Sequence, residues 1–142
     1  PAAATARNFA RSCGVTEAVL EEATRQIPSF KLNAKQINGI DRKSCGLLKL
    51  YASGKLPANF VEVMACPGGC IGGGGQPKSS EPDIKQKRIA AIYKEDTSSV
   101  KRCSHDNTEI QSIYKEFYGK PLSEKAEKYL HTSFVNRHDR LF

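Results

Sequence analysis

The run Cys66-Pro67-Gly68-Gly69-Cys70-Ile71-Gly72-Gly73-Gly74-Gly75-Gln76-Pro77 constrains the chain more than any other feature. Six glycines and two prolines in twelve residues sustain neither a helix nor a sheet ladder. Directly before it, Phe60-Val61-Glu62-Val63-Met64 is rich in β-formers and reads as a short strand. Residues 31–38 read as an earlier, weaker strand, with Gly39 as a turn. Asp41 caps a helix predicted to run to about Ser53, with Leu47, Leu48 and Tyr51 on one face and Gly54 as its stop. A strand, a helix and a strand in this order form a βαβ unit, whose strands pair in parallel. Cys66 then lies just past the carboxyl end of a parallel strand, where open α/β sheets hold their ligands.

The flanks complete an α/β expectation: a small, mainly parallel sheet, flanking helices and a helical C-terminal extension. Residues 1–12 show no clear period and read as a lead-in; the chain opens on Pro1, and further sequence is expected upstream. Val15, Val19, Ala23 and Ile27 follow helical spacing, with Thr16 as N-cap, Glu17 suiting the positive helix start, and Pro28 as the stop. A polar linker at 78–83 leads to three helical patterns. Ile89, Ile92 and Tyr93 mark the first. Ile110, Ile113, Tyr114 and Phe117 mark the second, with Asp106 and Glu109 matching a capping box. Ala126, Tyr129 and Leu130 mark the third, capped by Ser123. The expected division is an α/β lobe over 1–77 and a helical extension over 78–142.

Composition narrows the function. The net charge is +7, but between Lys78 and Arg102 the cations alternate with Glu81, Asp83, Glu95 and Asp96, so the pattern is a solvated face rather than a nucleic-acid stripe. No apolar run approaches the roughly 18–20 residues that cross a bilayer, and no secretory pattern opens the chain. Five cysteines, an odd number, argue against a disulfide framework and for a reducing compartment, so a cytoplasmic location is expected. Cys45 lies in an apolar helical pattern and reads as a small buried hydrophobe.

Cys66 and Cys70 are the candidate metal ligands. The glycines around them let backbone approach a bulky ligand and turn N–H groups toward negative charge, which suits a thiolate-bound iron–sulfur cluster. Zinc is an alternative, with Cys103 and His105 as the second pair. A glycine-rich turn with incidental cysteines is another. A thioredoxin-type pair is disfavoured, because three residues rather than two separate the cysteines. A phosphate loop is disfavoured too, because no Lys-Ser/Thr pair closes the glycine run.

The stretch from Val61 to Pro77 resembles the third signature of iron-only hydrogenases, Glu-x-Met-x-Cys-x-x-Gly-Cys-x-x-Gly-Gly-Gly-Gln-Pro, at every fixed position. Downstream, Arg88-Ile89-Ala90-Ala91-Ile92-Tyr93, Asp96, Arg102, Ser104-His105, Asn107, Tyr114, Gly119-Lys120-Pro121 and Leu130-His131-Thr132 resemble the hydrogenase small-subunit segment. Upstream, Ser12-Cys13-Gly14-Val15 resembles a stretch that reads Ser-Gly-Gly-Val in the family, so Cys13 stands where the family has glycine.

The resemblance implies the H-cluster, a 4Fe-4S cubane joined through one cysteine sulfur to a di-iron unit, and the reversible combination of protons and electrons into hydrogen. It implies Cys66 as a cubane ligand and Cys70 as the ligand that bridges to the di-iron unit. Met64 would pack beside that unit, and Gly68, Gly69, Gly73 and Gly74 would line the cofactor. No catalytic residue is expected in this chain: the signatures Thr-Ser-Cys-Cys-Pro and Met-Pro-Cys-x-x-Lys, which carry the other two ligands, the proton-relaying cysteine and a lysine, do not occur. The expected partners are an N-terminal hydrogenase lobe, in the same polypeptide or on another chain, and a redox carrier such as ferredoxin, with neither nucleic acid nor membrane. The alternative is a hydrogenase-derived, non-catalytic iron–sulfur or sensory scaffold. His105 and His131 read as helix-end residues, Cys103 as incidental, and Glu62 as a side chain able to orient backbone.

A half-site makes a direct prediction. Anaerobic reconstitution of this chain alone with iron and sulfide should leave no stable cluster. Retention of about four irons per chain with a thiolate-to-iron absorption band would show that it owns a complete site.

Overall fold

The computed structural model describes residues 4–133 and residue 135. It is an α/β structure built on a two-stranded parallel sheet, β1 (Ala34–Asn38) and β2 (Phe60–Met64), in the register Ala34↔Phe60 to Asn38↔Met64. The crossover is α3 (Arg42–Ala52). Its start is the expected one: Asp41 accepts from the Ser44 amide at 2.7 Å while the Ser44 hydroxyl takes the Asp41 amide at 2.7 Å, a reciprocal cap. Its end is a Schellman turn, with the Gly54 amide on Tyr51 O and the Lys55 amide on Leu50 O, both at 3.0 Å.

Two readings of the N-terminal region are corrected. The lead-in contains a short helix, α1 (Ala4–Asn8), which is too brief to print a period. Long-range bonds hold it: the Ala4 amide donates to Lys101 O and the Thr5 amide and hydroxyl to Arg102 O, at 2.7–3.0 Å. Helix α2 (Gly14–Gln26) then begins before Thr16, with Cys13 at the cap position in the left-handed conformation, φ 75°. This is a backbone that glycine adopts at little cost and cysteine does not.

Close packing divides the chain into two units, Pro1–Ser104 and His105–Phe142. Helix α4 (Ile84–Ser98) belongs to the first unit, where it packs on α1 through an Arg7–Glu95 ion pair at 2.8 Å. In the second unit, α5 (Thr108–Ile113) is capped by Asn107, which accepts from the Glu109 amide, rather than by the expected Asp106–Glu109 box. Asp106 lies in the preceding turn. The helix then widens into a π turn (Tyr114–Tyr118), so Tyr114 and Phe117 leave the α period. Ser123 caps α6 (Glu124–Leu130) as expected, accepting from the Ala126 amide. Phe117 meets Tyr129 across this pair, with ring centroids 5.5 Å apart.

The first unit has a thin core: among the described residues Ala4, Ile37, Met64 and Ile71 are its buried apolar ones. Leu20, Ile27, Ile40, Leu47, Leu50 and Val63 are exposed. Cys45 is exposed as well, which corrects its reading as a buried hydrophobe. The periodicity on α3 is real, but the apolar face it marks is only partly covered: Leu48 and Tyr51 are half-buried and Leu47 is exposed. No helix among the described residues is long and apolar enough to cross a membrane.

The cap on α3 should be sensitive to acid. Bonds from the Ser44 amide and hydroxyl hold the Asp41 carboxyl below its ordinary value of 3.8. A lowered carboxyl pKa contributes stability above the unfolded-state value and loses it as pH falls through the folded-state value. The Ser44 amide should therefore keep its exchange protection at pH 5–6 and lose it only as the pH falls below 3.8. Asp41→Asn, a neutral cap, should flatten that dependence in amide-exchange measurements.

Candidate metal centre

Strand β2 ends at Met64, whose carbonyl accepts the Gly39 amide at 2.8 Å; Ala65 O accepts from Ile40 at 3.1 Å. The chain then turns sharply. The Gly69 amide returns to Cys66 O at 2.9 Å, and a 3-10 turn over Cys70–Gly72 closes with the Gly73 amide on Cys70 O at 3.0 Å. Both cysteines therefore sit in consecutive hydrogen-bonded turns at the carboxyl end of the sheet. Both are free thiols, with Cys66 half-buried and Cys70 exposed. The glycine run folds back on the first of them: a Cβ at Gly73 would lie 3.4 Å from Cys66 Sγ.

Three elements hold this loop. Asn38, at the end of β1, accepts from the Gly68 amide at 2.6 Å. The turn between α1 and α2 takes the next arc: the Ser12 amide donates to Gly68 O at 3.1 Å, and the Ile71 amide donates to Ala10 O at 3.0 Å. Only glycine serves at position 69, where φ is 86° and a Cβ would stand 2.7 Å from Ala10 O and 2.8 Å from Ser12 N. From α4, Arg88 donates to Ile71 O at 2.8 Å and Pro77 O at 2.7 Å, and Lys85 to Pro67 O at 3.3 Å.

Glu62 governs the α1–α2 turn. Its buried carboxylate projects from β2 and accepts from the Cys13 amide at 2.8 Å, the Thr16 amide at 3.0 Å and the Thr16 hydroxyl. It replaces the expected Thr16 side-chain cap and places a negative charge at the positive end of α2. Met64, two residues on, is buried like Glu62, as strand alternation requires. Arg11 is also buried, paired with Glu17 and stacked over Tyr93 at 4.4 Å from the ring centroid.

The donor set suits one half of a four-thiolate cluster site. Two free thiols flank a loop of backbone amides, and Cβ positions at Gly74 and Gly75 meet nothing within 4 Å. The other sequence candidates have contacts of their own. Cys103 Sγ lies 2.9 Å from Glu21 Oε1, and His131 pairs with Glu127 at 2.7 Å at the end of α6. Sequence reasoning passed over Asn38, Lys85 and the turn at residues 10–12, whose bonds are backbone-directed and leave no pattern. Arg88 entered only through the family resemblance.

Residues 2–74 match the family described as iron only hydrogenase large subunit, C-terminal domain, and residues 82–137 match the iron hydrogenase small subunit. The chain is 49% identical over 92 residues to the NADP-reducing hydrogenase subunit HndD of Solidesulfovibrio fructosivorans, covering 64% of this chain and 16% of that protein. It is 34% identical over 91 residues to the cytosolic Fe-S cluster assembly factor narfl of Danio rerio, covering 62% and 21%. Among solved structures, a variant of the FeFe-hydrogenase HydA1 from Chlamydomonas reinhardtii superposes with a TM-score of 0.61 at 43% identity, over 72% of this chain and 25% of that one. The chain thus spans about a sixth to a quarter of the proteins it matches.

Removing the Glu62 carboxylate strands three donors at the head of α2. Glu62→Ala should cost about 3 kcal/mol in urea unfolding of the chain. Glu62→Gln, which keeps one acceptor oxygen, should recover part of that. A loss under about 0.5 kcal/mol for the alanine variant would mean that water replaces the carboxylate freely.

Proposed function

The chain belongs to the iron-only hydrogenase family, as the C-terminal part of its large-subunit domain, and from that premise we propose that it supplies two thiolate ligands to a hydrogenase metal cluster. The observation that carries this reading is the pair of free cysteines in tight turns at the carboxyl end of a parallel sheet, with glycine backbone folded against Cys66. Cys66 would hold the 4Fe-4S cubane and Cys70 would link it to the di-iron unit. Met64, Gly68, Gly69, Gly73 and Gly74 would line the cofactor. When bound, the cluster supplies the redox chemistry of reversible hydrogen formation. The chain's own share is to orient the two thiolates, to keep β2 and α2 locked behind them, and to exclude water from one side.

A cubane takes four cysteines, so the remaining two belong to a partner lobe. The thin core and the exposed apolar residues of α2, α3 and β2 support that lobe as a neighbour. An electron carrier such as ferredoxin, and a cytoplasmic setting, complete the proposal. A second reading has its own support, since one relative is named an iron–sulfur cluster assembly factor. In that reading the same cysteines hold a cluster without turning over hydrogen.

Replacement of Cys70 by Ala in the complete protein should abolish hydrogen turnover. Full turnover in that variant would remove Cys70 from the site. A wild-type protein that holds iron but evolves no hydrogen would favour the scaffold reading.

A further inference from the structure

The cysteine loop and helix α4 fall in differently matched segments, the loop at the end of the large-subunit match and α4 at the start of the small-subunit match. Between them lie the contacts that no sequence pattern announced. Arg88 donates one guanidinium nitrogen to Ile71 O at 2.8 Å and the other to Pro77 O at 2.7 Å. Those carbonyls bracket Gly72–Gln76, five residues of which four are glycine. Such a segment loses more conformational freedom on ordering than any other composition, and it makes few bonds of its own. Within it, the Gly73 amide bonds Cys70 O and the Gln76 amide bonds Gly73 O. A planar guanidinium with two divergent donors can fix both ends of the segment at once, which a single ammonium cannot.

Lys85 adds a weaker grip one turn earlier on the helix. Its Nζ lies 3.3 Å from Pro67 O, and its Cε would be 2.9 Å from a Cβ at Gly72, so its stem crosses the loop. Cys70 thus lies between a carbonyl held by Lys85 and one held by Arg88. Lys85 is exposed, so its bond is largely screened. Arg88 is half-buried and makes both of its bonds at short range.

We infer that Arg88 is a positioning residue for the cluster ligands: it staples the glycine loop shut across Ile71 and Pro77, and so the first helix of the small-subunit segment holds the large-subunit segment's Cys70 in place. This rests on the proposal that Cys70 is a ligand, but the staple itself is readable without metal.

The test has two arms. In the metal-free chain, Arg88→Gln should speed amide exchange at Gly73 and Gln76 by about tenfold while leaving the Cys45 amide of α3 unchanged. Arg88→Lys, which can satisfy one carbonyl, should fall between the two. Unchanged exchange at Gly73 and Gln76, or an equal rise at Cys45, would overturn the staple. In the complete protein loaded with iron, Arg88→Gln should release iron to a chelator about tenfold faster than wild type at an unaltered melting temperature, with partial rescue by Arg88→Lys. Equal release rates would overturn the positioning role. A wild-type protein that holds no iron would instead sink the ligation reading, and the exchange arm alone would then decide the staple.

Discussion

The first unit depends on one buried carboxylate. Glu62 reaches from β2 to the Cys13 and Thr16 amides and the Thr16 hydroxyl, and so ties the start of α2 to the middle of the sheet. Helix starts leave amides without partners, and a buried start without a cap is costly. Here the cap comes from 46 residues away in sequence. Two consequences follow from one bond set. The helix is fixed against the strand, and the turn over residues 10–13 is held where it can receive the cysteine loop.

The loop shows the same economy. A segment so rich in glycine cannot stabilise itself, because its unfolded state is too free. It is ordered from outside, by Asn38 at Gly68, by Ala10 and Ser12 at Ile71 and Gly68, and by Arg88 at Ile71 and Pro77. Most of these bonds are made to backbone amides and carbonyls. The glycine content that makes the loop floppy also admits the neighbours that fix it, most clearly at Gly69, where any side chain would meet the 10–12 turn.

This arrangement suits a site completed elsewhere. Backbone and cations grip one side of the loop, while Cys70 stays exposed and Gly74 and Gly75 face open space. The small core and the exposed leucines of α2 and α3 leave apolar surface that a neighbouring lobe would cover. The second unit is organised differently. Its helices meet through aromatic rings, with Phe117 against Tyr118 and Tyr129 and Lys125 over the Phe117 face at 3.5 Å.

Much of this was legible in the residues themselves. Asp41, Gly54 and Ser123 marked helix ends correctly because caps are local chemistry, settled within a few residues. The β-formers at 60–64 and the crossover length called for a parallel pair, and the six glycines of 66–77 marked an irregular loop at its end. Tertiary structure decided what depends on distant partners. Helix α1 exists because Lys101 and Arg102 receive its first amides, and α2 begins at Gly14 because Glu62 caps it. Cys45 is exposed although it lies in an apolar helical pattern, and Arg88 reaches the glycine loop because α4 packs beside it. A sequence records propensity and spacing, which act over a turn or two. Caps, burial and staples that join residues tens of positions apart are set by which surfaces meet, and only the folded chain specifies those.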